Sequence, residues 1–238
     1  MNMSKVYLWP LFDRSFGECV LCREPAPLHA GLCGACRPAL PAIEATVCRC
    51  GLLSPGALPD SGLCGRCLER PPPFRQVHCP WAYDFPLDRL INRYKHHRQL
   101  AIERALLPPW LASLPDPSQV DALVPVPSHW LRQWRRGFNP AHRLARAAAD
   151  HLGLPLLPAL ARSRRTRHQQ GQRARARRRN LHGAFALRQP VTGRHLALVD
   201  DVVTTGSTAR EASQCLLDGG AASVQVWALA RTLPTRGR

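Results

Sequence analysis

Leu196-Ala197-Leu198-Val199-Asp200-Asp201-Val202-Val203-Thr204-Thr205-Gly206-Ser207-Thr208 carries an apolar run into two carboxylates and a hydroxyl-rich glycine turn. The short continuous apolar stretch 196–199 suits a buried strand of a parallel sheet. Beyond the turn, Ala209, Ala212, Cys215 and Leu216 recur at helical spacing, with Glu211 three residues after Thr208 as a capping box and Gly219-Gly220 as a stop. The turn is therefore expected to join a strand to a helix N-terminus, where backbone N–H groups and the helix dipole attract a phosphate. Gly206 allows close backbone approach, and Thr204, Thr205, Ser207 and Thr208 add hydroxyl donors. Asp200 and Asp201 fall where a strand end can accept hydrogen bonds from a ribose diol and hold Mg²⁺ through water. A plain solvated turn would leave the joint arrival of the acidic pair and the hydroxyls unexplained.

Residues 199–208, Val199-Asp200-Asp201-Val202-Val203-Thr204-Thr205-Gly206-Ser207-Thr208, resemble the phosphoribosyl pyrophosphate (PRPP) motif of type I phosphoribosyltransferases. The resemblance implies an α/β fold with a parallel sheet and PRPP bound with Mg²⁺. It makes Asp200 and Asp201 the candidate catalytic pair.

Composition limits the partners. The formal charge is +17 over 238 residues, and nearly all of it is arginine, since Lys5 and Lys95 are the lysines. Arginine forks suit phosphate oxygens, so a polyanion such as single-stranded DNA is a plausible partner, although genome composition alone can enrich arginine. No apolar run approaches the roughly 18 residues needed to span a bilayer. Val6-Tyr7-Leu8-Trp9-Pro10-Leu11-Phe12 is short, is broken by proline and lacks a small-residue cleavage site. A cytoplasmic protein is expected. Pro71-Pro72-Pro73, Pro108-Pro109 and the prolines of 115–117 read as boundaries and loops.

Eight of the ten cysteines form two sets: Cys19-x2-Cys22 with Cys33-x2-Cys36, and Cys48-x-Cys50 with Cys64-x2-Cys67. This is zinc-ligand spacing, and four thiolates close a tetrahedron without leaving a position for water. Two structural Zn²⁺ are expected, in an N-terminal cysteine-rich zinc-ribbon module over residues 1–75 that precedes an α/β domain over 76–238. A disulfide framework is the alternative, but a reducing compartment disfavours it. The tight Cys48-x-Cys50 pair leaves exchange of ligands between the sets open. Cys79, beside His78, reads as a loop or strand edge, and Cys215 as core rather than nucleophile.

Upstream, Asp121-Ala122-Leu123-Val124-Pro125-Val126-Pro127 reads as a strand over 122–126, and a further strand is expected over 224–229. Asn139 is an N-cap with Pro140 at the first helical position, and Ala141, Leu144, Ala145 and Ala148 form the apolar stripe of the helix that follows. In the fold that the PRPP motif implies, the loop between them binds pyrophosphate, which makes Arg132 and Arg136 the candidate clamps. Trp130 and Trp134 are expected to pack against that loop. The acid-free run 162–181 holds most of its charge in Arg164, Arg165, Arg167, Arg173, Arg175, Arg177, Arg178 and Arg179. It is either a solvated loop or the mobile flap that phosphoribosyltransferases close over PRPP.

The whole pattern resembles the ComF family, of the ComFC or GntX type. The likeness rests on the cysteine sets, Tyr94-Lys95, Val124-Pro125-Val126-Pro127 and Arg132-x3-Arg136-Gly137-Phe138-Asn139. It continues through Thr166-x2-Gln169, Arg177-x2-Asn180-Leu181-x-Gly183-Ala184-Phe185 and the PRPP motif. Arg98 and Gln172 depart from the family pattern at positions where glycine and an apolar residue are expected. The resemblance implies natural competence: PRPP binding, contact with single-stranded DNA, and work with DNA-uptake machinery at the inner membrane, to which the protein would be peripheral. Thr166, Gln169, Arg177 and Asn180 become flap residues on the same ground. Two alternatives stay open, an active phosphoribosyltransferase of nucleotide metabolism and a zinc-ribbon adaptor that senses PRPP, because no run identifies an acceptor site.

Overall fold

The computed structural model describes residues 14–44, 47–53, 62–97, 99–128, 133–134, 136–162 and 183–234. Its strands are β1 (Arg14–Glu18), β2 (Pro25–His29), β3 (Leu32–Cys33), β4 (Val77–His78), β5 (Trp81–Ala82), β6 (Ala122–Pro125), β7 (Leu160–Arg162), β8 (Phe185–Leu187), β9 (His195–Val203) and β10 (Ser223–Arg231). Its helices are α1 (Gly65–Glu69), α2 (Leu87–His97), α3 (Leu100–Ala112), α4 (Pro140–Leu152) and α5 (Ser207–Asp218). Contacts gather the chain into two units: Met1–Pro41 with Asp84–Pro109, and Ala42–Tyr83 with Trp110–Arg238.

In the smaller unit, β1, β2 and β3 form an antiparallel sheet in that order. Leu87, Leu90, Ile91 and Tyr94 recur at helical spacing on α2 and are buried, as are Ile102 and Leu106 on α3. The buried Tyr94 hydroxyl donates to Glu103 Oε2 at 2.6 Å. Pro108 and Pro109, read from sequence as a boundary, instead lie inside α3. Each proline costs the helix about 3 kcal/mol. The helix persists because Leu106, Leu107 and Trp110, on either side of the prolines, are all buried.

The larger unit is built on a wholly parallel sheet in the order β4, β10, β9, β6, with β5 beside the far end of β10. Parallel neighbours need long crossovers, which α4 and α5 supply. Leu198 on β9 lies opposite Val124 on β6 and Val226 on β10, and all three are fully buried. Trp110 Nε1 donates to the Ala228 carbonyl at 2.9 Å, so this fully buried ring keeps its polar edge satisfied. The α/β parallel sheet expected from the apolar runs is the one found. β9 is longer than those runs, however, because β10 pairs with it as far as Arg231 opposite Val203. β7 and β8 pair antiparallel and bring Arg162 opposite Phe185.

The start of α4 is as its sequence dictates. Asn139 Oδ1 accepts from the Ala141 N–H at 3.1 Å, Pro140 follows, and Gly153 closes the helix at φ 67°. The same side chain donates Nδ2 to the Val126 carbonyl at 3.0 Å, tying the exit of β6 to the helix. Asn139→Ala loses these two bonds and a third, from the Ser128 hydroxyl to Oδ1 at 2.8 Å, and is expected to cost about 2 kcal/mol, whereas Asn139→Asp keeps the cap and costs less. Urea unfolding midpoints of the two variants check the order.

Candidate functional site

The hydroxyl-rich turn lies at the carboxyl end of β9, between two other parallel strands. Asp200 and Asp201 belong to the strand itself, near its carboxyl end, and both are half-buried. Asp200 Oδ1 accepts from the Asp201 N–H at 2.8 Å, and Asp201 Oδ1 from the Val202 N–H at 2.7 Å. Asp200, Val202, Val203, Thr204, Gly206 and Thr208 line a small concavity at this strand end.

Gly206, at φ 75° and ψ 2°, is the residue before α5 and needs the left-handed conformation that glycine adopts freely. The helix thus begins at Ser207, with Gly206 rather than Thr208 at its cap position. Thr205 supplies the turn's side-chain bond instead: its Oγ1 accepts from the Ser207 N–H at 3.4 Å and lies 2.9 Å from the Ser207 hydroxyl. With glycine at the cap, no side chain of the cap residue occupies the first-turn N–H groups. A twelve-residue helix directs its positive dipole end at this turn.

Arg136 is half-buried, in a helical position between β6 and α4. Arg132, Thr166, Gln169, Arg177 and Asn180 lie outside the described residues, as does Trp130. Trp134 was expected to pack, but it is 78 % exposed. Gln133 beside it, helical like Trp134, is exposed as well.

Each cysteine set gathers its own four sulfurs within 4.8 Å of one another, Cys19, Cys22, Cys33 and Cys36 in one cluster and Cys48, Cys50, Cys64 and Cys67 in the other. Ligands are not exchanged between the sets. In the first cluster the Cys33 N–H points at Cys19 Sγ at 3.4 Å, and in the second the Cys64 N–H points at Cys48 Sγ at 3.1 Å. Burial opposes a thiolate at Cys19, but the N–H groups of Cys33, Cys22 and Leu21 outweigh it and bring the thiol down to about 6. At Cys48, burial is likewise outweighed by the N–H groups of Cys50 and Cys64, and the thiol falls to about 7. Burial pushes Cys36 up to about 12 and raises Cys67 as well. A charged sulfur beside thiols that resist ionisation is a donor set that a cation completes, so both clusters could bind a metal such as zinc.

Cys79 and Cys215 pack against the sheet core, and burial raises both thiols, Cys79 to about 12. Neither has the character of a nucleophile. Burial also lowers His78, which sits on β4. Sequence reasoning missed Arg210 and Arg231, whose guanidinium groups reach backbone carbonyls around the second cluster. The available signal was a lone arginine closing the apolar run Trp227-Ala228-Leu229-Ala230.

Known proteins resemble the chain along most of its length. DNA utilization protein YhgH of Salmonella typhi is 41% identical over 228 residues, covering 91% of this chain and 98% of that protein. Its counterpart in Escherichia coli (strain K12) is 42% identical over 227 residues, with the same coverage. Competence protein F of Haemophilus influenzae is 34% identical over 227 residues, covering 90% of this chain and 96% of its own. No protein-family model matches the chain. A solved purine phosphoribosyltransferase from Pyrococcus horikoshii superposes with a TM-score of 0.32 at 13% identity, over 64% of this chain and 89% of that one. That overlap is too loose to bear on the fold, which rests on the parallel sheet itself. Among the described residues no helix is long and apolar enough to cross a membrane. With a third or more of its residues shared along nearly the full length of these relatives, the chain belongs to the ComF/YhgH family.

Proposed function

We propose that this protein binds PRPP with Mg²⁺ and handles single-stranded DNA in DNA utilization or competence, at the inner face of the membrane. One observation carries the reading: a central parallel strand runs through Asp200 and Asp201 into a Gly206-capped helix N-terminus rich in hydroxyls, in a chain whose relatives are a DNA utilization protein and a competence protein. The N–H groups of the turn, with Thr204, Thr205, Gly206, Ser207 and Thr208, would cradle the 5′-phosphate, and Val202 and Val203 close the strand beneath them. Asp200 and Asp201 would hold the ribose diol. Arg132 and Arg136 would clamp the pyrophosphate, with Thr166, Gln169, Arg177 and Asn180 covering it as a flap. Mg²⁺, when bound, neutralises pyrophosphate oxygens and adds a positive centre that the two carboxylates favour.

Calorimetric titration with PRPP in the presence of Mg²⁺ is expected to show one saturable site that is lost with EDTA. Absence of heat and of competition by pyrophosphate overturns the reading. A nucleobase screen then follows pyrophosphate: its release would move the protein to the active transferases. We further infer two structural Zn²⁺, one per cysteine cluster. Freshly purified, reduced protein should contain two zinc ions per chain, and Cys22→Ser should leave one; protein free of zinc refutes the assignment.

A further inference from the structure

The second cysteine cluster is fastened to the phosphate loop by two arginines. Arg231, the last residue of β10, is 3 % exposed. Its Nε donates to the Cys50 carbonyl at 2.9 Å. Its Nη1 donates to the Val203 carbonyl at 2.8 Å, to the Thr232 carbonyl at 3.0 Å, and to the Thr204 carbonyl. One buried guanidinium therefore holds together a cluster cysteine, the last residue of β9 and the first residue of the turn.

Arg210, in the first turn of α5, makes a second tie. Its Nη1 donates to the Pro71 carbonyl at 3.0 Å, and its Nη2 to the Arg70 carbonyl at 3.1 Å, with Cys67 Sγ 3.8 Å away. Its own N–H donates to the Gly206 carbonyl at 2.9 Å, so the tie ends on the turn glycine. Packing acts in the same sense. The Arg49 carbonyl accepts from the Val77 N–H at 2.8 Å, which lays the Cys48–Cys50 turn along the sheet edge. A Cβ on Gly51, at φ 73°, would meet Val77 Cβ at 3.2 Å and Arg231 Cδ at 3.4 Å.

We propose that the metal-loaded second cluster is a clamp on the phosphate loop, with Arg231 as its positioning residue and Arg210 as a second strap. Metal bound to Cys50 and Cys67 fixes the backbone carbonyls on which both guanidinium groups rest. When the metal leaves, Cys50 shifts, and a buried arginine cannot lose an acceptor without recruiting another or drawing in water. Either response disturbs the Val203 and Thr204 carbonyls. The first cluster, which lies in the other unit, makes none of these bonds. Coupling is reciprocal, so a ligand on the loop should slow metal loss from the second cluster. That last arm rests on the phosphate-loop reading proposed above; the hydrogen-exchange arm does not.

The test uses the full-length, zinc-loaded protein. Hydrogen exchange over residues 203–209 and zinc release to a chromogenic chelator are followed in the wild type, Cys50→Ser, Cys36→Ser and Arg231→Lys. Cys50→Ser is expected to speed exchange at the loop on the order of tenfold, and Cys36→Ser to leave it unchanged. Arg231→Lys, which keeps all eight cysteines, should speed both loop exchange and zinc release. If Cys50→Ser does not fold, Arg231→Lys decides alone. Wild-type exchange rates at the loop in Arg231→Lys, or equal acceleration by Cys36→Ser, overturn the clamp. Accelerated exchange without any effect of PRPP and Mg²⁺ on zinc release supports the clamp and counts against PRPP as the loop's ligand.

Discussion

Asp201→Ala should abolish Mg²⁺-dependent PRPP binding while leaving single-stranded DNA affinity unchanged or slightly raised. The carboxylate sits at the end of β9, one residue from the concavity-lining Asp200 and three from Thr204, where a ribose diol and a metal shell would lie. Charge-assisted hydrogen bonds of this kind contribute up to about 3 kcal/mol each, so the loss should reach about 100-fold. DNA phosphates are repelled by a carboxylate, and removing it can only help them. Calorimetry with PRPP and Mg²⁺, alongside fluorescence anisotropy with labelled single strands, separates the two ligands. A parallel fall in both affinities would indicate damage to the fold instead, since Asp201 Oδ1 also accepts from the Val202 N–H.

The second large effect concerns the basic run. Neutralising Arg175, Arg177 and Arg178 together should weaken single-stranded DNA binding at every sequence and flatten its salt dependence. Each phosphate contact on a single strand contributes about 0.7 to the slope of log affinity against log salt, so losing three should lower it by about 2. Some PRPP affinity should fall too, because Arg177 stands at a flap position of the resemblance. An unchanged slope in the triple variant would mean that the run serves PRPP or is merely solvated. The DNA contact would then have to be sought on the zinc clusters.

Features set by neighbours along the chain were legible in the residues. Cysteine spacing proposes the two sets of four, since a Cys-x2-Cys turn presents both thiolates to one point, and the structure closes the exchange that the tight Cys48-x-Cys50 pair left open, with Cys33 and Cys64 supplying N–H groups to Cys19 and Cys48. Asn139-Pro140 starts α4 because a cap bond spans only two residues. The apolar runs 122–126, 196–199 and 224–229 each became a strand of one parallel sheet, because a strand buried on both faces must be apolar on both.

What escaped the sequence depends on residues far apart in it. Asp200 through Val203 continue β9 because β10 supplies their partners, and the turn starts later than the change in composition. Pro108 and Pro109 stay helical because burial around them offsets their missing amide bonds. Trp134 faces water although a tryptophan there was expected to pack against the loop. The second cysteine cluster belongs to the unit of the sheet rather than to that of the first cluster, since Val77 pairs with Arg49 and Arg231 reaches Cys50 across 181 positions of sequence. A buried guanidinium is satisfied only by carbonyls that the fold has already brought together, so its role becomes visible only once they meet.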